Sequence, residues 1–120
     1  MTSVLAVDDS PSMRQMVKYT LEKAGYDVVM ANDGVEALSV ANNPNIKLVL
    51  TDVNMPNMDG ITLVRKLREL PEYQHMPILI LTTEAGTEKK MAGKEAGATG
   101  WIVKPFDPEA LINTLRRVLD

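Results

Sequence analysis

The stretch LVLTDVNMPNMDG, Leu48 to Gly60, decides the fold. It opens as a short unbroken apolar run, which suits a parallel strand covered on both faces better than a half-exposed one. The run stops at Asp52 and gives way to an irregular loop carrying Pro56 and Asp59-Gly60. A carboxylate therefore stands at the carboxyl end of a buried strand. That is the end at which open parallel sheets hold ligands.

The same grammar repeats along the chain. Apolar runs appear at Val4–Val7, Val28–Ala31, Leu48–Leu50, Ile78–Leu81 and Trp101–Val103. Stretches with helical spacing lie between them: Met13, Met16, Val17, Leu21 and Ala24; Leu63, Val64, Leu67 and Leu70; Leu111, Ile112, Leu115, Val118 and Leu119. Ser10-Pro11 and Asp107-Pro108 each put a capping side chain before a proline at the first helical position. Gly25 and Gly97 stand where helices should stop. Asp33-Gly34, Asp59-Gly60 and Thr87 read as further helix starts. The segment Thr87–Glu95 is expected to be the weakest helix, because its apolar content is little more than Met91 and Ala92. Five βα units make a single α/β domain over residues 1–120, a doubly wound five-stranded parallel sheet of order 2-1-3-4-5.

Composition narrows the chemistry. The 120 residues include no cysteine, which excludes disulfides, thiolate metal sites and cysteine nucleophiles. Net charge is −3 with no basic tail or stripe, so no nucleic-acid partner is expected. No apolar run is long enough to cross a bilayer, and MTSVLAVDD has no basic segment of the kind that opens a signal peptide. No membrane insertion and a cytoplasmic location are expected.

The strand ends carry the chemistry. The first strand ends in Asp8-Asp9, the third in Asp52, the fourth in Thr82-Thr83-Glu84 and the fifth in Lys104-Pro105. Three carboxylates brought together resist joint ionisation, and a divalent cation removes that difficulty. Carboxylate, carbonyl and water ligands suit Mg²⁺, with Mn²⁺ as the alternative. Lys104 can pair with Asp52 and then with a phosphoryl oxygen, and Thr82 offers a hydroxyl donor. These parts suit phosphoryl transfer to Asp52, where positioning and charge neutralisation supply most of the catalysis.

Val7-Asp8-Asp9-Ser10, Asp52-Val53-Asn54-Met55-Pro56 with Met58-Asp59-Gly60, Leu81-Thr82-Thr83 and Lys104-Pro105-Phe106 occur in order and in register. Together they resemble the receiver domain of two-component response regulators, and most closely the single-domain CheY-like chemotaxis regulators. The resemblance covers the whole chain and implies the flavodoxin-like (βα)5 fold. It implies Asp52 as phosphoacceptor, with Mg²⁺ held by Asp9, Asp52 and the Asn54 backbone carbonyl, and by Asp8 through a water. Thr82 and Lys104 would contact the phosphoryl group, and Asn54 and Glu84 would tune hydrolysis. Thr82 and Trp101 would form the switch that remodels the face of the fourth helix, fifth strand and fifth helix. Tyrosine or phenylalanine is commoner than tryptophan at that position. The Lys104–Pro105 bond is expected to be cis. Implied partners are a sensor histidine kinase, a downstream target such as a flagellar motor switch, and a phosphatase. The protein is not an enzyme on other substrates; it catalyses only its own aspartyl phosphorylation and dephosphorylation.

Other readings stand beside these. Ser10 reads as a helix cap, His75 as an exposed loop residue, and the eight methionines mostly as core filler. Lys89, Lys90, Lys94, Arg116 and Arg117 read as solvated helix faces. A single-domain phosphorelay intermediate, or the receiver part of a longer regulator, are alternatives, though the lack of a linker-like tail favours a stand-alone protein. A Mg²⁺-dependent aspartyl phosphatase would want Asp two residues after Asp52, where this chain has Asn54. A flavin carrier would be opposed by the Asp8-Asp9 pair at its phosphate site.

Overall fold

The computed structural model describes residues 2–119. Its strands are β1 (Ser3–Val7), β2 (Asp27–Ala31), β3 (Ile46–Thr51), β4 (Ile78–Thr82) and β5 (Gly100–Val103). They pair in parallel in the order β2-β1-β3-β4-β5, the expected doubly wound arrangement. The helices are α1 (Pro11–Lys23), α2 (Gly34–Val40), α3 (Gly60–Arg68), α4 (Thr87–Ala96) and α5 (Pro108–Leu119). A single 3₁₀ turn at Pro71–Tyr73, which the sequence reading did not foresee, leads into β4.

Local chemistry sets these limits. Ser10 accepts from the Met13 N–H and Pro11 occupies the first turn of α1. Asp33 and Asp59 cap α2 and α3 by accepting from the N–H groups of Glu36 and Thr62. Gly97 closes α4 at φ 110°, a left-handed conformation that favours glycine.

Alternate residues of each central strand enter opposite layers. Leu5, Val7, Val49, Ile78 and Ile80 pack with α2, α3 and α4 through Ala37, Leu63, Val64, Leu67 and Ala96. Val4, Ala6, Leu48, Leu50, Leu79 and Leu81 pack with α1 and α5 through Val17, Leu21, Leu111 and Leu115. β1 and β4 are buried along their whole length, whereas the edge strands β2 and β5 are only partly covered. The unbroken apolar runs thus mark strands with helices on both sides.

One expectation holds only in part. Met13, Met55, Met58 and Met76 pack half-buried against the core, but among the described residues no methionine is fully buried, and Met16 and Met91 are 53% and 57% exposed. The buried face of α1 runs through Val17, Thr20 and Leu21, with the Thr20 hydroxyl satisfied on the Met16 carbonyl, and this turns Met16 outward. In α4 the buried residues are Gly93 and Ala96, so the helix docks by small residues that allow close approach rather than by Met91. His75 and the basic residues of α4 and α5 named above are exposed, as read.

Candidate functional site

Asp8 follows β1 and Asp52 follows β3, adjacent strands of the sheet. The pairing of their ends is completed by backbone bonds, with the Asp8 N–H donating to the Ala31 carbonyl and the Asp52 N–H to the Val7 carbonyl. Carboxylate oxygens of Asp8, Asp9 and Asp52 lie within 4.8 Å of one another. Asp8 and Asp52 are buried at 6% and 8% exposure, while Asp9 is exposed at the mouth.

Lys104 reaches into this cluster from the end of β5. Its Nζ donates to Asp8 Oδ2 at 2.7 Å and to Asp52 Oδ2 at 3.2 Å. Asp8 is therefore the nearer partner; sequence reasoning had considered only Asp52. Burial pulls the Lys104 pKa down, but the hydrogen bond to Asp8 and the charges of both carboxylates outweigh it and leave it above the ordinary 10.5. The Lys104–Pro105 bond is cis, as the motif implied.

The second carboxylate oxygens of Asp52 and Asp8 accept from backbone. Asp52 Oδ1 accepts from the Val53 N–H at 2.7 Å and Asp8 Oδ1 from the Ser10 N–H at 2.9 Å. Arg14, unnoticed in the sequence, donates from Nη1 to the Asp8 carbonyl at 2.6 Å. Lys104 and the nearby Arg14 bring two positive charges to three carboxylates, so the centre keeps an excess of negative charge with oxygen ligands. That donor set fits a hard divalent cation such as Mg²⁺.

The loop after Asp52 is held at three points. Gly60 donates its N–H to the Val53 carbonyl, and a Cβ at Gly60 would lie 1.9 Å from the Asp52 carbonyl oxygen, so only glycine allows this approach. Asn57 adopts φ 69°, a conformation that asparagine tolerates better than most residues, and its Nδ2 donates to Asp33 Oδ2 at 2.7 Å. Met58 packs on Gly34. Asp33 thus caps α2 with one oxygen and ties down the loop with the other; the Asp-Gly helix signal revealed only the first role. Asn54 is exposed in this loop.

The other sequence-assigned residues form a second, connected group. Thr82 ends β4 fully buried, and its carbonyl accepts from the Lys104 N–H at 2.8 Å. Its Oγ1 accepts from the Glu84 N–H at 3.2 Å, and the Glu84 carbonyl accepts from Trp101 Nε1 at 2.9 Å. Thr82 and Trp101 are therefore joined through the backbone of Glu84, a link that no sequence spacing announced.

The family model for the response regulator receiver domain matches residues 4–116. The chain is 43% identical over 118 residues to a chemotaxis protein CheY homolog of Campylobacter jejuni, covering 97% of this chain and 91% of that protein. It is 42% identical to chemotaxis protein CheY1 of Helicobacter pylori, covering 97% and 95%. The solved structure of CheY4 of Vibrio cholerae superposes with a TM-score of 0.93 at 54% identity, covering 98% of each chain. Motif, geometry and relatives agree: the chain belongs to the response regulator receiver domains, among their CheY-like members.

Proposed function

We propose that the protein is a phosphorylation-activated switch of a two-component system acting in chemotaxis, and that residues 1–120 form one receiver unit. The observation that carries this reading is the centre itself: clustered oxygens of Asp8, Asp9 and Asp52 with Lys104 Nζ at 2.7 and 3.2 Å from two of them.

Asp52 is the acceptor. One of its carboxylate oxygens attacks the phosphorus of a phosphohistidine on a sensor kinase. The P–O bond forms as the P–N bond breaks, and the imidazole nitrogen leaves with the electron pair. Asp9, Asp52 and the Asn54 carbonyl, with Asp8 acting through a water, would hold Mg²⁺, which would supply neutralising charge for the phosphoryl oxygens. Lys104 supplies a second positive charge from a stem whose Nζ already lies beside Asp52, and the Thr82 hydroxyl supplies a donor. Asn54, exposed, and Glu84, half-buried, govern access of hydrolytic water. The protein acts only on its own aspartate, so it is a switch with built-in catalysis rather than an enzyme on other substrates.

Thr82 and Trp101 carry the signal to the surface of α4, β5 and α5, where a downstream target docks. A groove of about 440 Å³ lies between α4 and β5, lined by Lys90, Met91, Lys94 and Trp101, and the exposure of Met91 in it supports that assignment. A flagellar motor switch is the target that the chemotaxis reading names, with a phosphatase as the partner that ends the signal. A cytoplasmic placement goes with this role; no helix among the described residues is long and apolar enough to cross a membrane.

Intact mass after brief incubation with acetyl phosphate tests this directly. We expect a Mg²⁺-dependent gain of one phosphoryl group in the wild type and none in Asp52→Asn. No gain in the wild type, under conditions that preserve an acyl phosphate, would overturn the reading.

A further inference from the structure

Trp101 is half-buried on β5, with its indole against α4 and Nε1 donating to the Glu84 carbonyl. Opposite the six-membered ring stands Gly93, in the interior of α4. A Cβ at this position would lie 2.8 Å from Cζ3 and 3.2 Å from Cε3 of Trp101, and 3.1 Å from Ile80 Cδ1. The first distance is one that real side chains essentially never show. The backbone gives no reason for glycine here: the residue is helical, and positive φ among the glycines belongs to Gly25 and Gly97. Glycine inside a helix costs about 1 kcal/mol relative to alanine. What Gly93 provides is therefore volume rather than conformational freedom.

We propose that Gly93 is a positioning residue of the switch. Its missing side chain forms the recess that holds the Trp101 indole inward with Nε1 on the Glu84 carbonyl. This rests on the reading of Thr82 and Trp101 as the switch pair. The backbone of Glu84 carries both bonds of that pair, its N–H to Thr82 Oγ1 and its carbonyl to Trp101 Nε1. When the Thr82 hydroxyl turns toward a phosphoryl group, it changes its bond with the Glu84 N–H, and the carbonyl that anchors the indole is part of the same residue. The size of residue 93 then sets the balance between inward and outward placements of the indole, and so the population that phosphorylation has to shift. Recess and indole also match in bulk: the chain carries the largest aromatic at position 101 and the smallest residue opposite it.

Trp101 is the only tryptophan, so tryptophan fluorescence reports the surroundings of this one indole. In unphosphorylated Gly93→Ala we expect emission shifted to longer wavelength and stronger quenching by acrylamide, as the ring leaves the recess. Unchanged emission and quenching would overturn the proposal. Urea denaturation supplies a second readout. Gly93→Ala should lower the midpoint by clearly more in the wild-type background than in Trp101→Leu, where the clash with the indole is gone and only the Ile80 contact opposes helix propensity; equal shifts in both backgrounds would also overturn it. Wild-type protein given acetyl phosphate and Mg²⁺ separates the two readings. If Gly93→Ala moves the emission and phosphorylation does not, the recess stands and the switch reading falls. If phosphorylation moves it and Gly93→Ala does not, the recess falls and the switch stands.

Discussion

Replacing Lys104 by methionine keeps the aliphatic stem and removes the charge that two buried carboxylates share. The Nζ distances of 2.7 and 3.2 Å correspond to gross attractions of about 6 and about 5 kcal/mol at an effective dielectric of about 20. Desolvation of the ammonium and of the carboxylates cancels much of this. Removing one partner from a buried ionic group costs about 3–5 kcal/mol, because it leaves charge uncompensated. For a chain of 120 residues, a loss of about 3 kcal/mol lowers the melting temperature by about 12 °C. Thermal and urea unfolding should show this full deficit in a chelator. Mg²⁺ should then narrow the gap between variant and wild type, since the ion restores positive charge and no lysine competes with it; a ligand at 100 times its dissociation constant returns about 2.7 kcal/mol. The sign with pH follows from the raised pKa of Lys104. Its contribution is complete below the ordinary lysine value of 10.5 and is lost as pH rises through the higher folded value, so the gap holds at neutral pH and closes only in strong alkali. A variant within about 1 kcal/mol of wild type in chelator, or a deficit that Mg²⁺ leaves untouched, would refute the account of Lys104 as the counter-charge of the cluster.

Three further perturbations probe separate parts of the molecule. Gly60→Ala would place Cβ 1.9 Å from the Asp52 carbonyl oxygen, so the loop must move and phosphorylation by acetyl phosphate should fall sharply; intact mass reads the loss. Asp33→Ala should destabilise the fold at neutral pH by removing the α2 cap and the tie to Asn57. Hydrogen bonds from the Glu36 N–H and the Asn57 amide hold the Asp33 pKa below 3.8, so its contribution is present above that value and is lost as pH falls through the lower folded one; the wild-type advantage in unfolding midpoint should shrink in acid. Tyr73→Phe removes the hydroxyl that donates to the Ala41 carbonyl at 2.6 Å in a buried site, and should cost about 1–3 kcal/mol in urea unfolding while leaving phosphorylation intact.

The sequence exposed those features that depend on one residue or on a short period. Asp52 was conspicuous because a carboxylate interrupts an apolar run, and Asp8, Asp9, Thr82 and Lys104 because each sits where such a run ends. Ser10-Pro11, Asp33-Gly34 and Gly97 announced helix limits through local capping chemistry. The features that stayed hidden depend on distance in space. The shorter contact of Lys104 with Asp8 spans 96 residues, and its preference over Asp52 is set by the direction in which the lysine stem enters. The Asp33–Asn57 tie spans 24 residues and lies behind an ordinary N-cap signal. Met16 and Met91 misled because periodicity defines a stripe without fixing how far the helix is rotated about its axis. Gly93 drew no notice within a weakly apolar helix, since an empty volume has meaning only once its neighbour is known.

Arg68 gives α4 an unequal suspension. The guanidinium pairs with backbone carbonyls rather than a carboxylate, donating to Gly97, Tyr73 and Met76 at 2.6–3.1 Å. It thereby rivets the last turn of α4 to the end of α3 and to the segment entering β4, at the amino-terminal edge of the strands, the end of the sheet away from Asp52. The other end of the helix begins at Gly86 with no side-chain cap. A ten-residue helix is about 15 Å long, so a tilt of about 10° about the riveted end carries the free end through roughly 2.6 Å. The sheet can stay rigid while that lever swings. Its free end lies next to the loop that joins Thr82 to Trp101, where a small rearrangement has the longest arm.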